Sequence, residues 1–293
     1  MTAGPAARSL SRAEALAAVL PPLLVAAERV AATISQGVHG RRRVGAGETF
    51  WQFRAYQPGD STQRIDWRQS ARTERVYIRE NEWEAAQSVW LWCDRSESMR
   101  WRGGRDRPTK LERAELLTLA LASLLTRGGE RATLLGSGVP PSSGRATLRR
   151  LAAALQQRGL ALSLPPAEPL PRDGRLVMLG DFLAPVDGLR QSIAGFARRG
   201  VRGHLLQVFD PAEATLPFSG RVLFEGAESE GRVLFGRTET IRDDYRAAFT
   251  RHQAAVRDAA LQAGWTVQAH ATDHPPQTAL LTLYLALAGQ GRR

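Results

Sequence analysis

A single cysteine, Cys93, and a single lysine, Lys110, stand in a chain of 293 residues. One thiol can form neither an intramolecular disulfide nor a cysteine-rich zinc centre. Cys93 ends the apolar run Val89-Trp90-Leu91-Trp92-Cys93 and reads as a small buried side chain in a reducing compartment. With one lysine, nearly all the basic charge is arginine, and Lys+Arg 40 against Asp+Glu 29 leaves +11. The arginine is dispersed, and only Arg41-Arg42-Arg43 is dense. Dispersed arginine serves salt bridges, whereas a nucleic-acid site shows a cluster. Long apolar runs are also lacking. Ala15 to Ala27 is interrupted by Pro21-Pro22, and Ala279 to Ala288 is shorter still, so neither spans a bilayer or makes a secretory signal. The expectation is a cytoplasmic protein. No G-x-S-x-G elbow or Walker loop occurs, and Gly45-Ala46-Gly47 lacks the strand and third glycine of a dinucleotide loop, so intrinsic ATP hydrolysis is not indicated.

What is present is an ordinary globular composition, 43% hydrophobic and 24% charged. Residues 1–36 are Ala-rich and predict a helical arm or linker. Residues 37–86 are rich in Arg, Asp and aromatics, forming a motif region expected to pack on the core. From residue 87 to 293 short apolar runs alternate with amphipathic ones, the pattern of a mostly parallel sheet with helices on both faces. The strand candidates are Val89–Cys93, Ala132–Leu135, Leu176–Leu179, Leu205–Phe209 and Trp265–Ala269. Helix candidates lie near 109–126, 146–157, 187–199, 240–263 and 276–288. Val89–Cys93 is apolar on both faces, as a central strand must be. Arg221–Phe224 and Arg232–Phe235 could pair as a hairpin.

The sharpest local signal is Asp94-x-Ser96-x-Ser98, directly after the most apolar strand. Loops at the carboxyl ends of parallel strands form the ligand crevice, and short oxygen-bearing side chains at alternate positions can converge there. A hard cation such as Mg²⁺ or Mn²⁺ takes few carboxylates, neutral oxygens and water. Leu176–Leu179 runs through Gly180 into Asp181, delivering a second carboxylate to the same edge. The same residues could instead cap helices or bond their own backbone. Asp94 could also be a phosphoryl-accepting nucleophile, although Ser96 stands where such enzymes place a second Asp. His270 and His274 have H-x₃-H spacing without a partner pair, and so predict a solvated loop. Arg54, Tyr56, Asp60, Arg64, Asp66, Trp67 and Arg72 interleave guanidinium, carboxylate and aromatic groups around the Pro58-Gly59 turn. They read as a self-satisfied platform or as a surface for an acidic partner.

Three blocks carry a family resemblance: Arg54-x-Tyr56-x-Pro58-Gly59-Asp60 with Ile65-Asp66-Trp67 and Ala71-Arg72, then Asp94-x-Ser96-x-Ser98-Met99, then Gly180-Asp181-Phe182 followed by Asp210-Pro211-x-Glu213. In this the chain resembles the von Willebrand factor A-like proteins called domain of unknown function 58, typically encoded beside MoxR-type AAA+ ATPases. The resemblance implies a von Willebrand factor A-like Rossmannoid domain, α/β in class, with the Arg/Asp/aromatic-rich stretch as an added N-terminal region. It implies a metal-ion-dependent adhesion site onto which Asp94, Ser96, Ser98 and Asp181 map, with Thr147 the stand-in for the middle-loop threonine. The Asp94, Ser96, Ser98 and Asp181 arrangement, with no catalytic constellation beside it, reads as a non-enzymatic adaptor that uses Mg²⁺ or Mn²⁺, and the resemblance implies the partner class, a MoxR-type ATPase or another von Willebrand A-like protein. The other readings are an arginine-mediated nucleic-acid-binding protein and a Mg²⁺-dependent phosphotransferase at Asp94.

Overall fold

The structure, a computed structural model, describes residues 27, 29–34, 50–57, 62, 65–73, 75–81, 86–156, 162–228 and 231–289. The chain divides into two compact units, residues 39–87 and residues 1–38 with 88–293. In the smaller unit, β1 (Phe50–Ala55) pairs antiparallel with β2 (Tyr77–Asn81), and the short helix α1 (Trp67–Ser70) lies between them in sequence.

The larger unit is built on five parallel strands: β3 (Ser88–Cys93), β4 (Arg131–Leu134), β5 (Arg175–Gly180), β6 (Arg202–Phe209) and, after an intervening hairpin, a last strand Thr266–Ala271. The hairpin is β7 (Val222–Glu225) with β8 (Arg232–Phe235), so the last strand is β9. The spatial order is β4-β3-β5-β6-β9, every neighbouring pair parallel. Parallel neighbours require crossovers. These are supplied by α2 (Lys110–Arg127), α3 (Arg145–Gln156), α4 (Val186–Arg198) and α6 (Arg242–Gln262), with the one-turn helix α5 (Pro211–Thr215) after β6 and α7 (Pro276–Gly289) closing the chain. This is the Rossmann-like α/β class expected from the sequence.

Period-two alternation sorts the strand side chains into two cores. Val89, Leu91, Val177, Leu179, Leu206 and Val208 face α2, α3, α7 and the helical residues 29–34. Trp90, Trp92, Leu176, Met178 and Leu205 face α4 and α6. Ala27, Val30, Ala31 and Ile34 are buried in the first core, so that part of the 1–36 segment packs on the domain. Residues 117–125 of α2 are all buried. A helix loses its polar face when it lies between a sheet and other helices, and α2 contacts β3 to β6 together with α3 and α7.

Most observed elements fall within two residues of the expected ones, with three informative differences. β6 starts at Arg202 because Gly203 lets the strand pass the Trp265 ring, which a Cβ there would meet at 1.9 Å. β9 continues to Ala271, which buries His270 while His274 remains exposed. The two histidines therefore part company, and the solvated loop expected at His270 is corrected to strand. The pair β1–β2 was not anticipated, since its residues lack strict alternation.

The order places the reversal of winding between β3 and β5, because β4 lies to one side of β3 while β5, β6 and β9 lie to the other. Ligands of open α/β sheets bind outside the strand ends at this switch point. Asp94 follows β3 and Asp181 follows β5, so the topology alone puts the two carboxylates at the crevice.

His204, fully buried on β6, shares its Nδ1 with Thr266 Oγ1 at 2.6 Å and leaves Nε2 without a partner. Burial, reinforced by Arg175, holds its pKa down at about 4. A depressed histidine means the unfolded chain binds the extra proton first. Its contribution to stability is complete above about pH 6.5 and is lost as pH falls toward 4, up to roughly 3 kcal/mol. His204→Asn, which keeps an acceptor near Thr266, is expected to flatten the pH dependence of denaturant unfolding between pH 6.5 and 4. An unchanged slope would show that His204 does not set it.

Candidate functional site

The site begins with the backbone. Ladder pairing of β3 with β5 continues one residue past the strand, as Asp94 N–H donates to Leu179 O at 2.8 Å. Asp94 is thereby set against Gly180, where a Cβ would lie 2.7 Å from Asp94 Cβ and 2.9 Å from its Oδ2. The absent side chain at 180 makes room for the carboxylate. Asp94 is 0% exposed; Oδ1 accepts from Ser96 N–H at 2.9 Å, while Oδ2 is buried without a hydrogen-bond partner. Such an atom is uncommon, because buried polar groups are almost always paired.

The serines link the two carboxylates. Ser98 Oγ donates to Asp181 Oδ2 at 2.8 Å and lies 3.0 Å from Ser96 Oγ. Asp181 Oδ1 accepts from Leu183 N–H at 3.2 Å, and its carbonyl takes Gln207 Nε2 at 3.1 Å. The turn that returns Leu183 to Asp181 requires a positive φ at Phe182, 53°. A non-glycine residue there is costly. It is held by burial of the ring, by stacking on Trp92 at 6.3 Å and by the hydrogen bond between His252 Nε2 and Phe182 O at 2.8 Å.

Three residues not assigned to the site from the sequence complete the cluster. Lys110, 1% exposed at the start of α2, donates from Nζ to Asp181 Oδ2 at 2.8 Å and to Glu213 Oε1. Glu213 Oε2 accepts from Asp210 N–H at 2.8 Å in the capping box of α5. Asp210 accepts from Ala212 N–H at 2.8 Å, Gly103 N–H at 3.0 Å, Arg107 Nη1 at 3.2 Å and Thr272 Oγ1 at 3.3 Å. The loops after β3, β5, β6 and β9 are thus tied together. The D-x-x-E spacing at 210–213 was the available signal for α5. Nothing local marks Lys110, whose carboxylate partners lie far along the chain.

Electrostatically, Asp181 and Glu213 face one ammonium, and Asp94 feels the charge of Asp181. Burial first, then the charge of Asp181, raises the Asp94 pKa to about 7 against the hydrogen bonds from Ser96. Burial raises Glu213, opposed by Lys110. Burial would lower Lys110, but Asp181 and Glu213 overcome it and hold the amine charged. Burial pushes the Cys93 thiol up as well, leaving it inert beside the site. Among the described residues no three His, Cys, Asp or Glu side chains are grouped to hold a metal ion. The donor set here is instead one carboxylate with hydroxyls. The unpartnered Asp94 Oδ2 and the excess of buried carboxylates both suit a hard divalent cation.

The structure brings Asp94, Ser96, Ser98 and Asp181 together. It does not join Thr147 to them. Thr147 Oγ1 lies 2.9 Å from Ser142 Oγ, donates to Ser143 O at 3.0 Å and takes Arg150 Nη2 at 3.3 Å, a network that fixes the start of α3. Of the N-terminal motif, Asp60 and Arg64 lie outside the described residues, as do Arg41 to Arg43. Arg54 lies in β1 opposite Ile78, and Tyr56 N–H donates to Val76 O at 2.8 Å. Asp66 caps α1 by accepting from Gln69 N–H at 2.9 Å. Trp67 is 67% exposed, and Arg72 is exposed without an ion pair among the described residues.

Comparison with known proteins finds the family model "Protein of unknown function DUF58" over residues 52–255. "Uncharacterized protein Rv1480" of Mycobacterium tuberculosis strain ATCC 25618 / H37Rv and "Uncharacterized protein Mb1516" of Mycobacterium bovis are each 31% identical over 257 residues, covering 82% of this chain and 80% of theirs. Among solved structures, BatB from Bacteroides thetaiotaomicron, a conserved hypothetical protein, aligns with TM-score 0.39 and 15% identity over 70% of this chain and all of its own. An aerotolerance-related membrane protein from Bacteroides fragilis aligns with TM-score 0.43 and 16% identity over the same shares. No helix among the described residues is long and apolar enough to cross a membrane.

Gly180→Ala tests the closeness of β3 and β5 at the site. The added methyl must displace Asp94, so unfolding free energy is expected to fall by about 1–3 kcal/mol. Retention of wild-type stability in thermal or denaturant unfolding would mean the two strand ends are not this tightly apposed.

Proposed function

This chain is a member of the DUF58 family, whose function is unknown, and on that premise we propose that it is a non-enzymatic binding module whose crevice engages a partner protein through a divalent cation. The observation that carries this reading is Asp94 Oδ2, a buried carboxylate oxygen with no hydrogen-bond partner among the described residues, at the switch point of the sheet. Asp94, Ser96 and Ser98 would hold the cation, and Asp181 would complete the surrounding hydrogen bonds. Once bound, Mg²⁺ or Mn²⁺ supplies an open coordination position for a carboxylate of the partner. The chain's own contribution is to preorganise these oxygens and exclude water from them. A phosphoryl-accepting role would need a nearby general acid, and Ser96 stands two residues on where such enzymes place a second Asp.

The partner class favoured is a MoxR-type AAA+ ATPase or another von Willebrand A-like protein, as the family resemblance implies. Trp67 and the arginines of the smaller unit are assigned to contact or to the integrity of that unit. A cytoplasmic setting accords with the single reduced cysteine.

The test is thermal unfolding with Mg²⁺ or Mn²⁺ on the wild type, Asp94→Ala and Ser98→Ala. Ligand binding to the folded state adds about 2.7 kcal/mol of apparent stability at roughly 100 times Kd. A shift in the wild type and none in Asp94→Ala is expected, together with chelator-sensitive binding to a purified MoxR-type ATPase from the same organism. No metal-induced shift in the wild type would overturn the cation-dependent reading.

A further inference from the structure

Lys110 is the chain's only lysine, and it is 1% exposed. A lysine this deep persists only when its charge is matched. Its ammonium bridges Asp181 Oδ2, at 2.8 Å, and Glu213 Oε1. Glu213 is itself fixed through Oε2 on Asp210 N–H at 2.8 Å, which holds the ammonium on the α5 side of the crevice. The Asp181 oxygen that takes the ammonium also takes Ser98 Oγ, and the other oxygen takes Leu183 N–H. Both oxygens of Asp181 are therefore engaged, whereas Asp94 keeps Oδ2 without a partner.

We propose that Lys110 is a positioning residue that withholds Asp181 from a crevice cation, leaving Asp94 the one carboxylate available beside the Ser96 and Ser98 hydroxyls. This deepens the cation-dependent reading above and rests on it. The consequence is a choice of ion and of strength. Two carboxylates with flexible neutral oxygens favour Ca²⁺ and tight capture; one carboxylate with hydroxyls favours Mg²⁺ or Mn²⁺, retained waters and positions open to a partner. Lys110 also lowers the cation's affinity directly, because its own positive charge lies one carboxylate away.

The experiment titrates the full chain with Mn²⁺ alone, and separately with Ca²⁺ alone, by calorimetry and by the Mn²⁺ electron paramagnetic resonance signal. Lys110→Met frees Asp181 and removes a positive charge, and is expected to bind Mn²⁺ at least about tenfold more tightly than the wild type and to acquire Ca²⁺ binding. Lys110→Met with Asp181→Asn restores the charge balance and is expected to return to within about threefold of the wild type. A purely structural lysine would not produce that gain and its reversal. Lys110→Met binding Mn²⁺ no more tightly than the wild type overturns the proposal, as does loss of binding in the double variant, which would make Asp181 a ligand. The double variant decides the matter if Lys110→Met does not fold. Absence of Mn²⁺ binding in the wild type refutes the reading on which this rests. If Lys110→Met then binds, Lys110 is upheld as the group that keeps Asp181 from a cation; if neither binds, both ideas fall.

Discussion

The contact on which the crevice depends is the ion pair of Lys110 with Asp181. Three pieces of chain meet in it: the first residue of α2, the loop after β5 and, through Glu213, the capping box of α5. Buried ion pairs repay their desolvation only when the remaining donors and acceptors are satisfied. Here they are, since Asp181 also accepts from Ser98 and Leu183, and Glu213 from Asp210 N–H. The triad therefore fixes geometry more than it adds net stability. It converts loops that would otherwise be free at the strand ends into one rigid surface, reinforced by the four donors gathered on Asp210.

The fold was legible because its determinants are local and periodic. Val89–Cys93 carries no polar face and becomes the strand flanked on both sides by β4 and β5. The residues of α2 at 117–125 are apolar but for Thr118 and Ser123 and are enclosed all round. Asp94 and Asp181 were legible for the same reason, as each follows directly from a buried strand. Lys110 was not, because its meaning lies in partners 71 and 103 residues away. A lysine at the start of an amphipathic stretch looks like any solvated helix residue until the topology brings Asp181 and Glu213 around it. Thr147 failed for the converse reason: its place at the start of a helix suggested a loop ligand, but the nearer Ser142 and Ser143 oxygens claim its hydroxyl. Asp66, read as one carboxylate of the interleaved platform, caps the short helix that follows it.

Strain and unmet polarity meet at this edge of the sheet, though His204 Nε2 on β6 and the positive φ of Asp173 show that neither is confined to it. Phe182 is held at positive φ, Asp94 has an unpartnered oxygen, and Gly180 and Gly103 are positions where a Cβ would strike Asp94 and Asp210. Elsewhere the same sheet is filled with apolar side chains in two continuous cores. Such local departures persist when the surrounding structure over-determines them, and they cluster at functional sites.

The direction of the departure narrows the kind of function. Asp94 is fully buried beside Gly180. A merely structural carboxylate would have both oxygens paired, as Asp181 and Asp210 do. Among the described residues Asp94 does not meet that description. Its pKa of about 7 expresses the same imbalance: without another positive charge, the site takes up a proton to relieve it. In the cation-dependent reading proposed above, a cation would relieve it better, because it would neutralise the carboxylate and offer the serine hydroxyls and an incoming carboxylate a shared centre. On that proposal the cost of keeping Asp94 in this state falls on the folded protein, and Lys110 would set how readily a cation offsets it.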